Sequence, residues 1–138
     1  SLGDDLDDDG KLRSSFDLFL KLMAEPRSKT LLHGDISAIT QRNRKPVLIR
    51  TLLERSDLHD RLLHGSDYPL PGIVPLTSTS ALAKAGLLPK AAVNDLDILR
   101  QHNPLLFDFA LKRLLNWQGH SFSPAVFNTR RLFAASHA

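Results

Sequence analysis

The chain has no cysteine. Disulfides, thiol nucleophiles, Cys-ligated zinc and iron–sulfur clusters are therefore excluded, and the composition fits a reducing, cytoplasmic compartment. Aromatic residues are sparse, with one Trp and one Tyr, so no stacking platform interleaved with basic side chains is available for single-stranded nucleic acid. The net charge is only +3. Apart from Arg42-Asn43-Arg44-Lys45 and Arg130-Arg131 the cations are scattered, which describes a solvated surface rather than a nucleic-acid footprint. No apolar run approaches the ~20 residues of a spanning helix. The acidic N-terminus lacks the apolar core of a signal peptide. The expected partners thus include neither nucleic acid nor membrane. The seven glycines are dispersed, so there is no phosphate-binding loop, and no Gly-x-Ser-x-Gly elbow occurs. Six histidines are present without a His-x-His or His-Glu-x-x-His spacing.

What is present is a globular composition, 42% hydrophobic and 24% charged over 138 residues, the size of one domain. Residues 1 to 10 read as an acidic loop. Asp5-x-Asp7-x-Asp9-Gly10 matches the first half of a calcium loop, but position twelve is Phe16 where a bidentate Glu is needed. Ser14 caps a helix running to Glu25, with Phe16, Phe19, Leu20 and Met23 on one face and Pro26 as its stop. A strand is predicted over Thr30–Ile36 and a helix over Arg44–Glu54. Shorter helices are predicted at Ala81–Leu87, capped by Ser80, and at Asn94–His102. A strong helix is predicted from Pro104 to Trp117, with Leu105, Leu106, Phe109, Leu111, Leu114 and Leu115 as its apolar face and Lys112-Arg113 toward its end. From Gln118 a polar tail begins, on which Phe127 and Phe133 dock and Ala134–Ala138 fray.

The organising stretch is Leu58 to Gly72. Arg61–His64 is long enough for one buried strand; Gly65-Ser66 ends it, Asp67 follows, and Pro69, Pro71 and Gly72 forbid regular structure. From the pattern alone, Asp67 is either a turn-forming acid, which is the commoner role, or a carboxylate delivered to a strand tip as in α/β barrels. Asp35, near the tip of the other strand, has the same two readings. His33 and His64 each precede a glycine in the two strands and are read as packed side chains with a satisfied ring nitrogen, a shared metal role being the minor alternative. His59, His102, His120 and His137 read as surface or loop residues.

His64-Gly65-Ser66-Asp67-Tyr68-Pro69 resembles the GSDYP segment of the amidohydrolase superfamily, in its decarboxylase-like branch. Leu31 to Ile39 resembles that family's strand seven, and Asn103-Pro104-Leu105-Leu106-Phe107-Asp108 the start of a helix near its C-terminal end. The resemblance covers about residues 1 to 115. It implies an α/β fold in which residues 1–117 are the C-terminal part of a (β/α)8 barrel, with two parallel strands and their helices, followed by a tail at 118–138. It also implies that the rest of the barrel is absent from this chain.

For function, the resemblance implies a divalent-metal-dependent hydrolase acting on a small carbonyl substrate through an activated water. Asp67 is then the metal ligand and proton acceptor, and Tyr68 and Asp35 line the substrate pocket. The metal is zinc, with manganese the alternative, and is not held tightly by this chain alone, since the family's histidine ligands come from strands outside it. The partners are a small-molecule substrate and the remainder of the barrel or another copy of the chain. The alternative is a non-catalytic α/β interaction or structural module that has kept the hydrolase-like sequence.

Overall fold

The computed structural model describes residues 4–6 and 12–131. The chain divides into two compact units, Ser1–Gly34 and Asp35–Ala138. In the first, β1 (Asp4–Leu6) pairs antiparallel with β2 (Leu12–Ser14), Asp4 opposite Ser14 and Leu6 opposite Leu12. The acidic stretch expected as a loop thus contains a strand; the remainder of the calcium-like run, Asp7 to Gly10, lies outside the described residues. Helix α1 (Ser15–Ala24) starts as its sequence dictates: the Ser14 hydroxyl accepts the Asp17 N–H at 3.1 Å and donates to the Asp17 carboxylate at 2.7 Å. Met23 is its fully buried residue.

Pro26 ends α1, and Pro26–Ser28 form one turn of 3-10 helix. The amides of Leu31 and Leu32 both donate back to the Ser28 carbonyl, at 3.3 and 2.9 Å. A donor spent on a turn is lost to a sheet, so the strand predicted over Thr30–Ile36 shrinks to β3 (Gly34–Asp35), and Leu31 is 84% exposed.

The second unit is mixed α/β and mostly helical. Its elements are α2 (Pro46–Glu54), β4 (Leu62–Leu63), α3 (Thr79–Lys84), α4 (Ala92–His102), α5 (Pro104–Leu114), β5 (Asn116–Trp117), β6 (His120–Ser121) and α6 (Pro124–Phe127). β3 and β4 lie side by side as a two-stranded parallel sheet, and Ile36 N–H donates to the Leu63 carbonyl at 2.9 Å. Around them Ile36, Ile49, Leu53, Leu62, Leu87, Phe107, Leu111 and Val126 form the core. α4 and α5 meet at Asn103, whose side chain caps α5 by accepting the Leu106 amide at 3.0 Å, with Pro104 at the first helical position. The Arg100 guanidinium lies 4.3 Å over the Phe107 ring and donates to the Thr77 carbonyl at 2.9 Å, tying the proline-rich loop to α4.

Three expectations are corrected here. α3 begins two residues early, because Ser78 rather than Ser80 accepts the capping bond, from Ala81 N–H at 3.2 Å. The helix expected to reach Trp117 stops at Leu114; Asn116–Trp117 instead pair with His120–Ser121 across Gln118-Gly119. Those two turn residues have φ of 51° and 87°, as the hairpin turn that matches strand twist requires. Finally, α5 buries Phe107, Asp108, Leu111 and Lys112, while Leu105, Leu106, Phe109 and Leu114 are 39–49% exposed. Of the predicted face, Leu111 and Leu115 are therefore buried as expected, and the inward stripe runs 107-111-115 with 108-112 beside it. Phe133 and residues 134–138 lie outside the described residues.

Candidate functional site

α5 carries an ion pair into the interior. Asp108 and Lys112, one turn apart, are 1% and 0% exposed. An ammonium has three donors, and each finds an oxygen: Asp108 Oδ2 at 2.7 Å, the Ser37 carbonyl at 2.8 Å and the Gly65 carbonyl at 2.8 Å. Burial works against both charges. It pushes the Asp108 carboxyl up to about 6, against the pull of Lys112, with Asp67 and Asp35 adding to the rise. It pushes the Lys112 ammonium down, while Asp108, Asp35 and Asp67 hold it up. The four charges thus form one electrostatic cluster, although only Asp108 touches Lys112.

The carbonyls of Ser37 and Gly65 lie just past the C-terminal ends of β3 and β4. Asp35 Oδ1 accepts the Ser37 amide at 2.7 Å. Its carboxylate fills the space beside Gly65, where an added Cβ would stand 3.0 and 3.2 Å from the two oxygens. A side chain at position 65 would therefore require the Asp35 carboxylate to give by a few tenths of an ångström. Asp67 follows at φ 50°, a left-handed conformation sparsely used by residues other than glycine. Its carbonyl accepts the Leu70 amide at 2.9 Å, closing the turn. His64 packs between the rings of Phe109 and Phe127, at centroid distances of 5.7 and 5.4 Å. Burial, with Lys112 nearby, pushes its imidazole down to about 4, and Asp35 opposes this. Its Nδ1 is 3.9 Å from Asp108 Oδ2 and, among the described residues, has no hydrogen-bond partner. The packing expected of His64 is found, with its Nδ1 left without a hydrogen bond among the described residues.

Asp67 is exposed and, with Ser37, Ser66, Thr77 and Asp108, lines a narrow cleft whose free space is about 10 Å³, the size of one water. Tyr68 is 63% exposed on the same loop and lies outside the cleft lining, as does Asp35. The structure thus brings Asp35, His64, Asp67 and Asp108 around Lys112 and leaves Tyr68 outside. His33 belongs to the first unit and His137 lies outside the described residues. His59, expected at the surface, is 2% exposed. Its Nδ1 accepts the Ser123 amide at 3.1 Å, so its Nε2 carries the proton donated to the Leu52 carbonyl at 2.8 Å.

No group of three or more His, Cys, Asp or Glu side chains among the described residues is arranged to hold a metal ion. Asp67 offers one carboxylate, the half-buried His64 imidazole packs against two phenyl rings, and the cation that neutralises Asp108 is Lys112. These residues by themselves do not fit a divalent metal. The reading of α5 missed Lys112, because a lysine near a helix end ordinarily belongs to the solvated surface. The signal available was its spacing of four from Asp108, on the face of Phe107 and Leu111. Comparisons with protein-family models, with curated proteins and with solved structures find no match.

Proposed function

We propose that this chain is the C-terminal portion of a hydrolase of the amidohydrolase type, with Asp67 as its proton-transferring group. The observation that carries the reading is the position of Asp67: an exposed carboxylate just beyond the C-terminal end of a strand in a parallel pair, on the side of the sheet where α/β enzymes place their chemistry. The water-sized space beside Asp67 and Asp108 suits a nucleophilic water. Asp67 takes a proton from that water as its oxygen attacks the substrate carbonyl, then returns it to the departing group. Tyr68, exposed beside Asp67, contacts the substrate on the open side. A (β/α)8 barrel completed by polypeptide beyond these residues, a divalent metal held mostly by it, and a cytoplasmic setting belong to the same proposal; the lack of cysteine supports the last. No helix among the described residues is long and apolar enough to cross a membrane.

The test is Asp67→Asn in the complete protein, assayed with added zinc or manganese on a panel of small esters, amides and carboxylic acids. Turnover falls roughly 10²–10⁴-fold with the thermal unfolding curve nearly unchanged. Wild-type turnover by the variant reduces Asp67 to a turn residue. A second reading, a non-catalytic module, is favoured by the small size of the cleft; it wins if the wild-type protein turns over nothing on the panel.

A further inference from the structure

β3 and β4 have two residues each, too few for ladder bonds alone to hold their tips in register. The connection is made instead from α5. We propose that Lys112 is a positioning residue whose ammonium clasps the carbonyls of Ser37 and Gly65 and so fixes where Asp35 and Asp67 stand. Its catalytic meaning rests on the hydrolase reading; its structural meaning does not.

The geometry of the clasp is fully determined. All three donors are used at 2.7–2.8 Å, none is left for water, and the side chain is 0% exposed. Ser37 and Gly65 occupy equivalent places, each two residues past the last residue of its strand. Asp67 comes two residues after Gly65, and Asp35 two before Ser37. The Asp35 carboxylate closes the arrangement from the other side, bonded to the Ser37 amide and lodged against Gly65. The counter-ion, Asp108, rides on the same helix as Lys112, so the clasp is carried by a rigid element rather than a loop. The other titratable groups facing it are Asp35 at the end of β3 and His64 and Asp67 after β4. Arginine is no substitute here, because a planar fork does not reproduce three donors converging from one nitrogen.

The test is the pair of substitutions Lys112→Met and Asp108→Leu made together in the complete protein, which leaves neither charge buried alone. The expected result has three parts. Unfolding stays cooperative, with Tm close to wild type. Backbone amide exchange at Ile36 and Ser37 becomes about tenfold faster, while that at Phe107 and Leu111 in α5 is unchanged. Hydrolysis loses about 100-fold in kcat at constant KM, as misplacement of a reacting group produces. Unchanged exchange at Ile36 and Ser37, or equal acceleration there and in α5, overturns the proposal. Selective acceleration in a protein whose wild type hydrolyses nothing upholds the clasp and removes the hydrolase reading instead. If the double variant does not fold, wild-type protein labelled with ¹⁵N-lysine decides: one ammonium resonance that resists solvent exchange at neutral pH supports the clasp, and its absence overturns it.

Discussion

His64 and Asp108 stand 3.9 Å apart, and burial drives their titration in opposite senses. The His64 imidazole falls from 6.5 to about 4 on folding, so the stability it contributes is complete above 6.5 and is lost as pH falls through about 4. The Asp108 carboxyl rises from 3.8 to about 6, so its contribution is complete below 3.8 and is lost as pH rises through about 6. Between pH 4 and 6 the two slopes oppose, and these two contributions nearly cancel. In His64→Leu the Asp108 slope stands alone, and urea unfolding should show stability falling by roughly 1–2 kcal/mol from pH 4 to pH 6. Little of this was legible in the chain. Asp67, Asp35 and His64 announced themselves by preceding or following glycine and proline at strand ends. Lys112 did so only through its spacing from Asp108, because the two carbonyls it binds lie 75 and 47 residues away. His59 was hidden for the same reason: the Ser123 amide that fills its Nδ1 is 64 residues distant.

Three helices were legible from side chains that mark their ends, whereas at α3 the cap is Ser78 and not Ser80. Ser14 before α1, Pro46 opening α2 and Asn103-Pro104 opening α5 all act as their chemistry dictates. Asn103 satisfies an amide that is otherwise unpaired within the helix. Asn103→Ala should therefore lower stability by about 1 kcal/mol, measured by urea unfolding, and Asn103→Asp should restore most of it. The faces of helices were less legible than their ends. α5 has apolar residues on both sides, so periodicity alone does not choose between Leu105-Phe109 and Phe107-Leu111. The strands were least legible. Thr30–Leu32 has strand composition, yet its backbone donors turn back to Ser28. Gln118-Gly119 makes a tight hairpin although asparagine or aspartate is the usual first residue of that turn.

A sheet of two short parallel strands has two open edges, and natural proteins cover or pair such edges. Apolar side chains are also left in water, among them Val74 at 68% and Leu105 and Leu106 at 49% and 48% exposed. Sedimentation velocity on the 138-residue chain at low micromolar concentration should therefore show concentration-dependent association. A sharp monomer at every concentration, with cooperative unfolding, would mark these residues as self-sufficient. The α/β class and the parallel pairing of its two strands were expected and are found, but the alignment of such short strands was not legible, since it depends on a helix more than 40 residues downstream. That dependence gives the buried lysine one more consequence. In strands of two residues, alternation of apolar and polar side chains is too short to distinguish one alignment from the next. A slip by a single residue in either strand withdraws a carbonyl from Lys112 and leaves one donor of a dehydrated ammonium unpaired, a penalty that an apolar side chain at the same place would not impose. The ammonium therefore proofreads the fold, tolerating one alignment of Ser37 against Gly65 and rejecting its neighbours.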